Sequence, residues 1–291
     1  MSKEVTADIL KEIYPDRSPH AHKYDFGHLL VVGGSFLYSG SPAFNALAAY
    51  HAGVDLVTVV APERAADIVA GFSPDLITYP VDTKYFTPKH LTLVEDLTEN
   101  KDAVVIGGGM GRNLETLEFV RRFLMRTEMP VVVDADAIYA AQDDEGIQEW
   151  AEAEMFEEKD FIVTPHAYEF YVLTGQKLPE AGPKRLELVE HGARAIECVI
   201  LQKGNPDIIS NGVETMVNNT GNPYMSVGGT GDTLAGLCGA YLALGLDPFT
   251  AASAAAFVNG RAGDLAADVL GPSFLATDLL AYIPQVLKET S

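Results

Sequence analysis

Positive charge is scarce in this chain: 20 Lys and Arg stand against 41 Asp and Glu, a formal net charge of −21. A field of that sign repels nucleic acid and anionic membranes, so neither is an expected partner. Cysteine is nearly absent. Cys198 and Cys238 are far apart and lack the close pairing of a zinc site or redox motif, so they read as buried thiols. No stretch approaches the ~20 uncharged apolar residues that a membrane-spanning helix needs. The charged opening, Met1 to Arg17, has no apolar run of the secretory kind, and the expected location is cytoplasmic. Catalytic signatures are missing too. Without G-x-x-x-x-G-K-[ST], G-x-S-x-G or H-E-x-x-H, a standard P-loop enzyme, an α/β-hydrolase elbow and a zinc protease are excluded.

What is present is an α/β rhythm. Short apolar, β-branched runs at His28–Val32, Leu56–Val60, Ala103–Ile106, Val131–Val133, Phe161–Val163 and Val199–Leu201 read as buried strands. Helical patterns lie between them. Pro42–Ala52 is closed by Gly53 and Pro62–Ala70 by Gly71, with proline first and glycine just past the end. The alternation implies a mostly parallel sheet covered on both faces, with ligands beyond the carboxyl ends of its strands. After Leu201, Asp207–Ser210 and Glu214–Val217 flank Asn211-Gly212, the signature of a tight hairpin, so an antiparallel edge is expected. The alanine-rich last third, including Ala251–Ala267, reads as helical. No repeat or linker interrupts residues 1–291, and one domain is the economical reading.

An anionic ligand of so acidic a chain requires a local site, and backbone amides supply one. In NPYMSVGGTGD, Gly228, Gly229, Thr230 and Gly231 lead into a helix with Asp232 at its mouth. Unpaired amides at a helix N-terminus bind anions, and the aspartate is either a base or a favourable first-turn charge. A second loop, Gly107-Gly-Gly-Met-Gly-Arg112, follows a strand but departs from G-x-G-x-x-G at Arg112, which pairs with phosphate or caps a surface helix. His166 and Glu169 end another strand, as do Asp134 and Asp136, which either hold Mg²⁺ through water or cap the next helix.

Taken together, KYDFGHLLVVGGS, SGSPAFNALAAYHAGVDLVTV, VVVDADA, TPHAYEF and NNTGNPYMSVGGTGD resemble the ADP-dependent NAD(P)H-hydrate dehydratases of the ribokinase-like superfamily, from about Lys23 to Ala267. The resemblance implies a three-layer α/β fold and repair of nicotinamide cofactor. The hydrate of NADH or NADPH would be dehydrated while ADP, or ATP, is split, with Mg²⁺ carried on the nucleotide phosphates and no resident metal. By position it assigns the hydrate to Ala43, Gly109, Gly111, His166 and Asp232. It assigns the nucleotide to Lys203, Gly204, Asn205, Pro206, Asp207 and Gly231, and the anion hole to Gly228 through Gly231. Three segments depart from the family pattern: Gly107-Gly108-Gly109 replaces G-P-G, Lys203-Gly-Asn-Pro-Asp207 replaces K-G-A-G-T, and TPHAYEF replaces TPH-P-G-E. Asp207 is thereby expected to bring negative charge toward the nucleotide. A homo-oligomer and a separate epimerase are the implied partners, the family's fused epimerase domain having no counterpart in these residues. Two other functions remain compatible with the motifs: a small-molecule kinase of the same fold, and a nucleotide sensor without turnover.

Overall fold

In the computed structural model, residues 3–11, 13, 14, 17–142 and 159–289 are described. Their strands are β1 (Lys3–Glu4), β2 (His28–Val32), β3 (Leu56–Pro62), β4 (Ile77–Val81), β5 (Ala103–Ile106), β6 (Val131–Val133), β7 (Phe161–Val163), β8 (Val199–Gln202), β9 (Asp207–Ser210) and β10 (Thr215–Asn218). Their helices are α1 (Gly40–His51), α2 (Glu63–Ala70), α3 (Leu91–Thr98), α4 (Leu114–Arg126), α5 (Ala167–Thr174), α6 (Pro183–Ile196), α7 (Thr230–Ala243), α8 (Pro248–Leu270) and α9 (Ala276–Glu289).

The described strands form one sheet in the order β1-β10-β9-β8-β7-β6-β5-β2-β3-β4. From β8 to β4 every pairing is parallel, and β9 runs antiparallel to both β8 and β10. The hairpin expected at Asn211-Gly212 forms at that margin, with β1 added parallel outside β10. Successive residues alternate between two cores, as strand geometry requires. Leu29 and Val31 join one cluster while Leu30 and Val32 join the other. The first is closed by the alanine-rich α1, α7 and α8, whose small side chains let these helices pack closely; the second is filled by larger groups such as Phe119, Phe123 and Phe170 from α4 and α5. Both faces are therefore covered.

Chain order produces the site. From β2 the chain winds outward through β3 to β4, then returns to β5 on the opposite side of β2 and winds the other way. The connections leaving β2 and β5 diverge, opening a crevice at their carboxyl ends. Gly107 makes the turn possible there: its φ is 130°, and a Cβ on it would lie 1.8 Å from the carbonyl oxygen of Asp134. Only glycine is accommodated.

Candidate active site

The sequence marked the loop before α7 as an anion site, and it folds as a helix entrance. Gly229 caps α7 with φ 104°, where a Cβ would press on Phe44 and Ala276 at 2.7 and 2.8 Å. Thr230 secures the turn by donating its hydroxyl to the carbonyls of Met225 and Val227, at 2.8 and 3.1 Å. The first N–H groups of α7 have no partner within the helix and face the crevice with the positive end of its dipole. Gly228, Gly229, Thr230 and Gly231 thus form one continuous turn.

Asp232 lies in the first turn of α7. Across from it stands the central glycine loop: a Cβ on Gly108 would be 3.2 Å from its Oδ1 and 2.8 Å from the Cβ of Ser41. Burial, reinforced by the nearby charge of Asp134, pushes the Asp232 carboxyl up to about 7, although the Ser41 hydroxyl and Lys203 pull the other way. Asn45 of α1 donates its amide to the Asp232 carbonyl at 2.7 Å. Ser41 and Asn45 escaped the sequence reading, although both lie in the SGSPAFN segment on which the family resemblance partly rested. Ala43, in the first turn of α1 between them, is buried.

Lys203, at the end of β8, holds Asp134 at 2.9 Å and reaches Glu169 at 3.7 Å. Burial opposes its charge, yet Asp134 and Glu169 hold the ammonium above its usual value. Thr164 donates to the same Asp134 oxygen at 2.6 Å. Asp136 instead accepts from the backbone of Gly111 at 2.9 Å and from Arg112 Nε at 2.6 Å. Neither aspartate caps the following helical turn with its side chain, which corrects one of the roles expected for them; they are cross-braces between strand ends. Arg112 is no cap either, since Asn113 caps α4 and the guanidinium stacks 3.6 Å over Tyr139.

His166 caps α5. Its Nδ1 accepts from the backbone of Tyr168 and Glu169, both at 3.1 Å, and Glu169 returns a carboxylate to the His166 N–H at 2.9 Å. That arrangement leaves the proton on Nε2, 3.3 Å from Glu169. His166 also lines a cleft of about 810 Å³ with Lys203, Gly204, Asn205, Asp207 and Gly231. Gly109 and Gly111 belong to the other side of the crevice, and Gly111 lines a second cleft of about 690 Å³.

Asp207 faces the larger cleft, but its carboxylate is already engaged. One oxygen accepts from the backbone of Gly204 at 2.8 Å and the other from Asn218 at 3.1 Å. Burial raises it to about 6, while those two donors and Arg185 counteract part of the rise. It serves as a strut of the loop that holds Asn205 and Pro206. Arg185 buttresses the same loop, donating Nε to Gln202 at 2.9 Å. Gly204 is needed for that contact, because a Cβ there would fall 1.9 Å from the Arg185 Nη2.

Among the described residues no group of three His, Cys, Asp or Glu side chains is placed to hold a metal, and no helix is long and apolar enough to cross a membrane.

The family model described as NAD(P)H-hydrate dehydratase matches residues 29–285. A bifunctional NAD(P)H-hydrate repair enzyme Nnr of Pyrobaculum aerophilum is 42% identical over 275 residues, covering 94% of this chain and 53% of that one. The chain thus spans about half the length of the bifunctional relatives it matches. An ADP-dependent (S)-NAD(P)H-hydrate dehydratase of Nitrosopumilus maritimus is 34% identical over 288 residues, covering 98% of this chain and 97% of that one. The crystal structure of the ADP/ATP-dependent NAD(P)H-hydrate dehydratase of Bacillus subtilis, co-crystallised with ATP and Mg²⁺, superposes with a TM-score of 0.84 at 25% identity, covering 100% of this chain and 99% of that one. The glycine turn at the head of α7, its aspartate and the three-layer frame around them thus occur in a chain that belongs to the NAD(P)H-hydrate dehydratase family.

Proposed function

We propose that this chain dehydrates the hydrate of NADH or NADPH at the expense of ADP or ATP, releasing phosphate and, from ADP, AMP. The observation that carries the reading is Asp232: a carboxylate with pKa raised to about 7 stands at a turn of unpaired amides whose Thr230 and Gly231 line a cleft large enough for a nucleotide. The family and its relatives supply the substrate class.

The larger cleft takes the nucleotide, on Lys203 to Asp207 and Gly231, with its terminal phosphate on the amides of Gly228 to Gly231. The hydrate lies along Gly109 and Gly111, beside Ala43 and His166, with its hydroxyl at Asp232. Asp232 takes the hydroxyl proton as the oxygen attacks phosphorus, and the bond to the departing nucleotide oxygen breaks. Phosphate is a better leaving group than hydroxide. The ring carbon–oxygen bond then breaks, a proton leaves the adjacent carbon, and the ring double bond is restored. The amides need no rearrangement to stabilise the charge that builds on the phosphoryl oxygens.

Mg²⁺ fits this site as an ion carried by the nucleotide. Asp134 and Asp136 are committed to Lys203, Thr164, Gly111 and Arg112, so these two carboxylates are not free to cage an ion of their own. Carried on the nucleotide, the ion would neutralise charge on the transferring group.

A single domain, supported by the continuous sheet, and a cytoplasmic homo-oligomer complete the proposal, with a separate epimerase supplying the reactive hydrate epimer. Light scattering tests the oligomer. The central test adds protein and ADP to hydrated NADH: recovery of reduced-nicotinamide absorbance with stoichiometric AMP is the expected result. No recovery with any hydrate would leave the kinase reading in its place.

A further inference from the structure

Beyond Gly111, the smaller cleft has walls that the proposed reaction does not use. It lies between the β2–α1 connection, bearing Tyr38, the segment after β4, bearing Lys84 and Tyr85, and the β5–α4 loop, bearing Gly111 and Arg112. In a chain of net charge −21 its ionic lining is inverted: Lys84 and Arg112 against Glu115 alone. Among the described residues Lys84 has no acidic partner; its ammonium rests 5.3 Å from the Phe36 ring centroid. Arg112 gives only its Nε to Asp136. Lys84, held by an aromatic ring without a carboxylate, and the Arg112 nitrogens not given to Asp136 remain available to an anion.

The cleft is also continuous with the reacting centre. The central glycine loop runs from Gly108, whose Cβ position is 3.2 Å from Asp232, through Gly109 against Tyr38, to Gly111, whose Cβ position is 3.5 Å from the Tyr85 ring. One ligand lying along these glycines reaches Asp232 at one end and the two tyrosines at the other. Tyr38 is 59% exposed, so its ring is open to the cleft.

We infer that this cleft takes the adenylate half of the hydrated dinucleotide, its purine against Tyr38 and Tyr85 and its phosphates on Lys84 and Arg112. The inference rests on the dinucleotide substrate proposed above and assigns Lys84 as an affinity determinant outside the chemistry. Aromatic rings stack a base, and the two cations match phosphate charge.

The test uses binding without turnover. With AMP saturating the larger cleft, calorimetry measures NADPH and reduced nicotinamide mononucleotide on wild type and Lys84→Gln. Loss of one charge-assisted contact weakens NADPH by about tenfold, while the mononucleotide, lacking the adenylate, binds both proteins alike. The gap narrows at high salt. Equal NADPH affinity for the two proteins, equal weakening of both ligands, or no NADPH binding to wild type would each overturn the assignment. Because the measurement needs no dehydration, a protein that binds as described yet restores no hydrate would sink the proposed reaction and leave the cleft assignment standing.

Discussion

The Lys203 ammonium lies 2.9 Å from Asp134 and 3.7 Å from Glu169, at the meeting point of β6, β7 and β8. Both carboxylates are buried, with 3% and 4% of their side-chain surface exposed. Replacing Lys203 with methionine leaves two buried negative charges without their counter-charge, and breaking such a pair costs about 3–5 kcal/mol. Urea unfolding of Lys203→Met should show a loss of that size. Adding Asp134→Asn should recover part of it, because one of the stranded charges is then gone. A loss below about 1 kcal/mol, the range of exposed pairs, would show that solvent already screens the cluster.

Asp232→Asn keeps size and hydrogen bonding but removes proton affinity. With Asp232 as the proposed general base, its loss should lower kcat for hydrate dehydration by about 10² to 10⁴. Only the deprotonated carboxylate accepts the proton, so the wild-type rate should climb with pH through about 7 and level off above it. A near-normal rate in Asp232→Asn, or a flat profile from pH 6 to 8, would remove Asp232 from the chemistry.

The raised values of Asp232, about 7, and Asp207, about 6, also bear on stability. Each folded carboxyl holds its proton more tightly than in the unfolded chain, where the ordinary value is 3.8. Between those limits the folded state binds more protons, so stability falls as pH rises. The contribution is present in full below the unfolded value and is lost as pH rises through about 6 for Asp207 and about 7 for Asp232. Asp232→Asn should therefore raise Tm at pH 8 relative to wild type and change it less at pH 5. An equal shift at both values would contradict the buried-acid account.

Gly204→Ala tests the loop that lines the larger cleft. The added methyl meets Arg185 Nη2 at 1.9 Å, so the guanidinium must leave Gln202 or the loop must move. Overpacking of this kind costs about 1–3 kcal/mol. Because Asp207 holds the same loop through the Gly204 N–H, KM for ADP should rise while kcat changes little. The kinetic split is the discriminating measurement: a fall in kcat at constant KM would place the loop nearer the reacting atoms than the nucleotide.

Strands with a continuous β-branched signal were legible from residues alone. β2, β5, β6 and β7 occupy the runs that the apolar pattern marked, because burial on both faces demands unbroken apolar sequence. β4 was not legible: Ile77–Val81 contains Pro80 and is largely exposed at the sheet margin, where neither apolar continuity nor a full hydrogen-bond ladder is required. β1 is too short to carry a pattern at all.

The same division runs through the site. Glycines followed by an aspartate at a helix start are a local arrangement, so the sequence by itself determined the glycine turn at the head of α7 and placed Asp232 in it. The sequence likewise marked Asp207 as a charge in the loop after β8. Only the tertiary structure decided what these groups face. Asn45 reaches Asp232 across 187 positions because α1 packs on α7, and Lys203 reaches Asp134 across 69 because β6 and β8 flank β7 in the sheet. Asp207 became a strut when the β9–β10 hairpin set Asn218 beside it. The pKa of about 7 on Asp232 has the same origin, since desolvation and neighbouring charge depend on which groups surround a carboxyl in space, and residue order alone does not specify that.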